Sequence, residues 1–284
     1  MSRTRPGTGS SGSSRRVSNL VLRVATALVG IPIVLAADYG GGAIFAVLIG
    51  LVAAVGAAEF YLLCRAAGNR PALVLGVPAA AVMAGLPMAV LNPQRAWIGI
   101  LVLLAITAGA IYLTPRLFPS GMDGWLATMG GAVYIGIMLG HLSLLRTLPN
   151  GAWWVFAALL MTWAYDTGAY VSGSQLGRRP FMQHVSSKKT GEGVMGGLGL
   201  SGIAGFILVP TVGMAAPLAL ALGLLVGAVA QVGDLAESMF KRRAGVKDSG
   251  TIFPGHGGML DRVDALLFTG AVIYYAAALL GYVS

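Results

Sequence analysis

Apolar positions in this chain fall into long blocks, at about 20–37, 43–64, 72–91, 96–114, 124–145, 152–173, 194–212, 217–240 and 263–282, separated by short polar stretches. A helix of about 20 residues crosses a hydrocarbon layer about 30 Å thick, with allowance for tilt, and each block is close to that length. The pattern predicts an all-α polytopic membrane protein of about nine transmembrane helices: five in residues 19–150, and four more with two cytoplasmic motif loops in 151–284. Residues 1–18 hold Gly, Ser, Pro and Arg without an apolar face, so they read as a disordered basic tail. The first block follows Arg15 and Arg16 as the core of a signal peptide would, but no small-residue cleavage site follows it; it reads as a retained helix.

The polar stretches then orient the chain. With nine spans and a cytoplasmic N-terminus, 16 of the 19 Lys and Arg residues fall on the inside, Arg95 and Arg146 fall outside, and Arg23 lies within the first span. That asymmetry predicts an N-in, C-out protein of the cell membrane and accounts for the net charge of +9 without a nucleic-acid partner. Composition agrees: 56% of residues are hydrophobic and the mean hydropathy is +0.79. The lone Cys64 excludes an internal disulfide and a Cys-based zinc site, and the 42 glycines suit close helix packing.

Against this background the stretch KRRAGVKDSGTIFPGHGGMLDRVD, from Lys241 to Asp264, concentrates five basic and three acidic residues in a chain that is 10% charged. In the block before it, Asp234, Glu237, Ser238 and Lys241 stand at i, i+3, i+4 and i+7 and so share one helix face. An acid inside a span is costly unless it meets a cavity, a cation or a partner, which marks Asp234 and Asp166 as functional candidates. Gly245, Gly250, Gly255, Gly257 and Gly258 with Pro254 break the helix and offer backbone N–H groups to phosphate oxygens. Asp261 and Asp264 open the last helix, either as N-terminal capping groups or, for Asp261 with Asp234, as the hard oxygen ligands that Mg²⁺ takes. His256 has no second histidine in range for zinc and reads as a hydrogen-bond donor to phosphate or loop backbone. The other inner loop repeats the logic: Asp166 and Tyr170 share a face, and Ser186, Ser187, Lys188, Lys189 and Thr190 follow a Gly-rich run. All four lysines of the chain, Lys188, Lys189, Lys241 and Lys247, lie in these two loops, and a compact ammonium is a good phosphate ligand. Glu59 stays open between a hydrogen-bonded helix contact and a cavity lining.

The run Ser238-Met-Phe-Lys241-Arg242, then Lys247-Asp248-Ser-Gly, then Pro254-Gly-His256-Gly-Gly-Met-Leu-Asp261-Arg262-Val-Asp264 resembles the C-terminal signature of the phosphatidate cytidylyltransferases (CDP-diacylglycerol synthases). Asp166-Thr-Gly-Ala-Tyr170 with Ser187-Lys188-Lys189-Thr190-Gly-Glu192-Gly is similar to a second block of that family, where Pro is usual in place of Ser187. The likeness covers the chain from Asp166 on; the first five spans match only as hydrophobic helices. It implies transfer of CMP from CTP to phosphatidic acid, giving CDP-diacylglycerol and pyrophosphate on the cytoplasmic face of the membrane, with Mg²⁺ and a second cation such as K⁺. By matching position, Asp234 and Asp261 would be the metal pair. Lys188, Lys189, Lys241 and Arg262 would clamp phosphates, Ser238 and His256 would donate hydrogen bonds, and Asp166 would orient a lysine or the second cation. Arg242, Lys247, Asp248, Gly257 and Asp264 complete the substrate-binding set, Lys247 and Asp248 as a salt bridge that orders the loop. The lipid phosphate is itself a nucleophile, so catalysis should rest on positioning and charge neutralisation. A homodimer is left open, as are a CTP-dependent isoprenoid-alcohol kinase, which would release CDP and no pyrophosphate, and an ion-coupled transporter, against which the charges gather at one membrane face.

Overall fold

The structure, a computed structural model, describes residues 11–113, 121–183, 185–186, 188–253 and 257–282. Among these, the regular elements are all helical: α1 (Ser11–Gly40), α2 (Gly42–Ala66), α3 (Leu73–Gly85), α4 (Pro93–Tyr112), α5 (Gly121–Gly131), α6 (Met138–Thr147), α7 (Gly151–Leu176), α8 (Gly191–Leu208), α9 (Ala216–Arg243) and α10 (Leu260–Leu279). Short 3₁₀ turns extend α3 and α8, and a π-helical stretch, Ala132–Ile137, joins α5 to α6. Every apolar block is therefore helical, as a backbone in lipid must be to bond its own N–H and C=O groups.

Among the described residues six helices are long and apolar enough to cross a membrane: Gly42–Ala66, Pro93–Tyr112, Gly121–Thr147, Gly191–Val212, Ala216–Arg243 and Leu260–Leu279. Thr26–Gly40 and Leu73–Met88 are apolar but shorter. α7 has 26 residues, but from Asp166 on polar residues and glycines interrupt its apolar run. α1 begins at Ser11, inside the stretch expected to be a tail. A helix nucleated in the apolar block extends backwards without a second nucleation cost, and the breaker Pro6 lies outside the described residues.

The second half packs in chain order, α7 on α8, α8 on α9 and α9 on α10, and α10 lies against α6 and α7. Glycine makes the first two contacts possible: a Cβ at Gly168 of α7 would lie 2.5 Å from the Gly196 carbonyl oxygen of α8, and one at Gly223 of α9 would lie 2.5 Å from that of Ser201. In the first half α2 packs on α3 and on the π stretch. There the Tyr61 hydroxyl donates to Thr128 O at 2.8 Å and the Trp97 indole N–H to Met83 O at 2.8 Å. Far from the motif loops, Arg146 Nε holds buried Asp38 at 3.2 Å through Oδ1 and at 2.9 Å through its carbonyl. The two motif loops leave the ends of α7 and α9 and lead into α8 and α10.

Candidate active site

The polar face expected on α9 forms. Ser238 Oγ donates to Asp234 Oδ1 at 3.4 Å, and the Lys241 ammonium bonds the Glu237 carboxylate one turn before it. Partners on other elements complete both pairs. Lys189 Nζ sits 2.7 Å from Asp234 Oδ2, and Lys241 Nζ sits 2.6 Å from Asp261 Oδ1 at the start of α10.

Lys189 is aimed by the loop that bears it. Phe181 N–H donates to Lys189 O at 2.8 Å and Gly191 N–H to Arg179 O at 2.9 Å, which closes the loop on itself. Glu192 Oε2 accepts from the N–H groups of Arg178 and Arg179 at 3.1 and 3.2 Å, and Thr190 Oγ1 caps α8 by accepting from Gly193 N–H at 3.2 Å. The result is a cavity of about 380 Å³ among α7, α8 and α9, walled by Asp166, Tyr170, Ser174, Lys188, Lys189 and Asp234. Tyr165 and Gln231 also line it, locked together by a 2.6 Å bond from the phenol to Gln231 Oε1.

The second loop is organised around carboxylates. Asp261 Oδ2 accepts from Ser249 N–H at 2.9 Å, Ser249 Oγ at 2.9 Å and Gly258 N–H at 2.8 Å. Gly257 has φ +81°, and a Cβ there would lie 2.7 Å from the same oxygen, so the turn requires glycine. Asp264 lies inside α10 rather than at its cap, and its Oδ1 accepts from the next residue's N–H, Ala265, at 2.8 Å.

Asp166, Lys188, Lys189 and Asp234 thus meet at the cavity, whereas Lys241 and Asp261 pair with each other outside its lining, two turns along α9 from Asp234. Arg242 instead ties the two loops together, its Nε reaching Val185 O at 3.4 Å and its Nη1 Val246 O at 3.2 Å. Lys247 and Asp248 are both exposed, and no ion pair joins them among the described residues; between exposed side chains water offsets most of what such a pair would gain. His256 lies outside the described residues.

Among the described residues no three His, Cys, Asp or Glu side chains converge into a metal cage. Mg²⁺ is commonly held by one or two carboxylates with water and substrate phosphates, so a cavity wall carrying Asp234 and Asp166 fits. Asp261 Oδ2 is filled by its three donors, and Oδ1 is shared with Lys241 alone.

Two features were hidden in the sequence. Glu59 on α2 is 4% exposed and bonds Ser249 Oγ, Met259 N–H and Leu260 N–H, far away along the chain. Its signal was an acid alone in an apolar block, and the hydrogen-bonded helix contact is what the structure contains. Gln231, one turn before Asp234, was legible as a polar break in the same α9 block.

A model of the cytidylyltransferase family matches residues 21–280. The chain belongs to that family. Membership covers all but the ends of the chain, wider than the motif likeness from Asp166 on. Among cytidylyltransferase relatives, the phosphatidate cytidylyltransferase of Pseudomonas aeruginosa is 38% identical over 275 residues, 90% of this chain and 96% of that protein. Those of Synechocystis and Bacillus subtilis are 44% and 38% identical over 140 and 151 residues. These shorter matches cover 48% and 52% of this chain, and 46% and 56% of the two relatives.

Proposed function

We propose that the chain is an integral-membrane CTP:phosphatidate cytidylyltransferase, transferring CMP from CTP to phosphatidic acid with release of pyrophosphate. The observation that carries this reading is the meeting of Lys188, Lys189, Asp166 and Asp234 on one cavity, with Lys241 paired to Asp261 two turns further along α9, in a member of the cytidylyltransferase family. Lys188 and Lys189 neutralise phosphate oxygens, and Lys189 is already drawn to the cavity by Asp234. Lys241 turns from Asp261 Oδ1 to a phosphate, which leaves that oxygen for a cation. Asp234 would hold magnesium from the cavity wall, with Asp261 joining it only once Oδ1 is freed from Lys241, and the ion would offset the triphosphate charge and polarise the α-phosphorus. Asp166 orients Lys189 or holds a second cation such as K⁺. The lipid phosphate needs no general base, so these side chains act by holding two polyanions in line.

The nine helical blocks are read as nine spans, N-in and C-out, with the cavity at the cytoplasmic face where CTP is found. The Lys and Arg asymmetry supports this. The cavity lies at the ends of α7 and α9, so the diacyl tails stay in lipid while the head group enters. The test is product analysis with purified protein, CTP and phosphatidic acid: labelled CMP should appear in lipid with stoichiometric pyrophosphate and stop when Mg²⁺ is chelated. CDP with no pyrophosphate would mean a kinase, and transfer undiminished by chelation would remove the metal.

A further inference from the structure

We propose that Glu59, on α2, is a positioning residue for cytidylyl transfer, holding through Ser249 the loop that presents Asp261 and Lys241. The proposal rests on the assignment of Asp261 and Lys241 to the site. Glu59 is 4% exposed and has no ion-pair partner among the described residues. A buried carboxylate without a cation persists only when its oxygens are well bonded. Here Oε1 accepts from Met259 N–H at 3.0 Å and Oε2 from Leu260 N–H at 2.8 Å, with the Ser249 hydroxyl, shared with Asp261, 3.0 Å from Oε2. Both N–H groups belong to the start of α10, where amides lack helical acceptors and the helix dipole favours negative charge.

An ordinary helix cap comes from the residue next to the helix. This one comes from another helix, so it sets where the whole loop sits against the bundle. The loop is also shaped to it: a Cβ at Gly250 would lie 2.3 Å from Glu59 Oε1, and one at Gly258 would lie 2.4 Å from Oε2. Ser249 then joins Glu59 to the site. Its hydroxyl is 3.0 Å from Glu59 Oε2 and 2.9 Å from Asp261 Oδ2, with a single proton for the two carboxylates, and it accepts from Asp261 N–H at 3.3 Å. A change at Glu59 is therefore felt at Asp261 and, through Oδ1, at Lys241.

The test uses the full chain in liposomes with wild type, Glu59→Gln, Ser249→Ala, their double variant and Asp261→Asn. Glu59→Gln keeps the volume but turns an amide NH₂ towards backbone donors. Supporting groups of this kind cost about 10–100-fold when altered, so kcat should fall by that factor with KM for CTP and phosphatidic acid within about 3-fold. Ser249→Ala should behave alike, and the double variant should be no worse than the poorer single one, since both act through one chain of bonds. Wild-type kcat in folded Glu59→Gln, a loss that only tracks the folded fraction, or additive losses would overturn the proposal. If Glu59→Gln fails to fold, Ser249→Ala decides, and wild-type kcat there overturns it. Near-wild-type Asp261→Asn would show that the site assignment has failed instead; an inactive Asp261→Asn beside unimpaired Glu59→Gln sinks the Glu59 role alone.

Discussion

Replacing Lys241 with Met should separate the two tasks this ammonium performs. Its side chain is 12% exposed and lies between Glu237, 1% exposed, and Asp261, 6% exposed. Removing one partner of a buried ion pair leaves an uncompensated charge and costs about 3–5 kcal/mol. Asp261 keeps two backbone N–H donors and a share of the Ser249 hydroxyl, whereas Glu237 loses its partner and already has Oε1 unbonded, so most of the penalty falls on Glu237. Adding Glu237→Gln to Lys241→Met should therefore restore most of the lost stability. It should not restore activity, because the cation that meets phosphate is still missing. The assay is the unfolding midpoint in detergent together with the initial rate of CDP-diacylglycerol formation. A wild-type midpoint for Lys241→Met, or a double variant no more stable than the single, would refute the electrostatic reasoning; recovered activity in the double variant would refute the phosphate role.

Lys189→Met should leave stability within about 1 kcal/mol, since Asp234 is 37% exposed and water replaces its partner, while the transfer rate falls about 10²-fold; unfolding curves beside rates check this. Gly258→Ala places a Cβ 2.3 Å from Ser249 Oγ and 2.4 Å from Glu59 Oε2, so these hydrogen-bonded side chains or the loop itself must shift. Transfer should collapse while the protein still reaches the membrane, as read by fractionation and rate. For topology, cysteines introduced one at a time into a Cys64→Ala background should react with an impermeant maleimide on intact cells at Gln94, on the outer side, and only after lysis at Lys247; labelling at Lys247 in intact cells would reverse the orientation.

Much of the helical fold was legible because a lipid solvent leaves the backbone little choice, and blocks of about 20 apolar residues mark where helices run. The start of α1 was not, since helix propagation into Ser11–Arg16 leaves no mark in composition. Nor was the π stretch that carries Tyr134 against Phe60, Phe240 and Phe268, because its register answers to neighbouring helices rather than to its own residues. At the site, contacts within one helix followed from spacing, as between Ser238 and Asp234 or Lys241 and Glu237. Contacts between elements did not. Lys189 finding Asp234, Lys241 finding Asp261, and Arg242 bonding loop carbonyls all depend on how α7 to α10 pack. Glu59 was conspicuous as a lone acid, but its partners at Ser249, Met259 and Leu260 exist only once α2 meets the second loop.

The most direct test of the central claim is the initial rate of CMP transfer from CTP to phosphatidic acid by Asp234→Asn in liposomes, with Mg²⁺ varied. Asp234 is the carboxylate that both walls the cavity and pairs with Lys189. The account predicts a folded protein whose rate is lower by about 10²-fold or more, in line with loss of a preorganised charge at the reacting phosphate. A rate within a few-fold of wild type, at the same Mg²⁺ requirement, would contradict it.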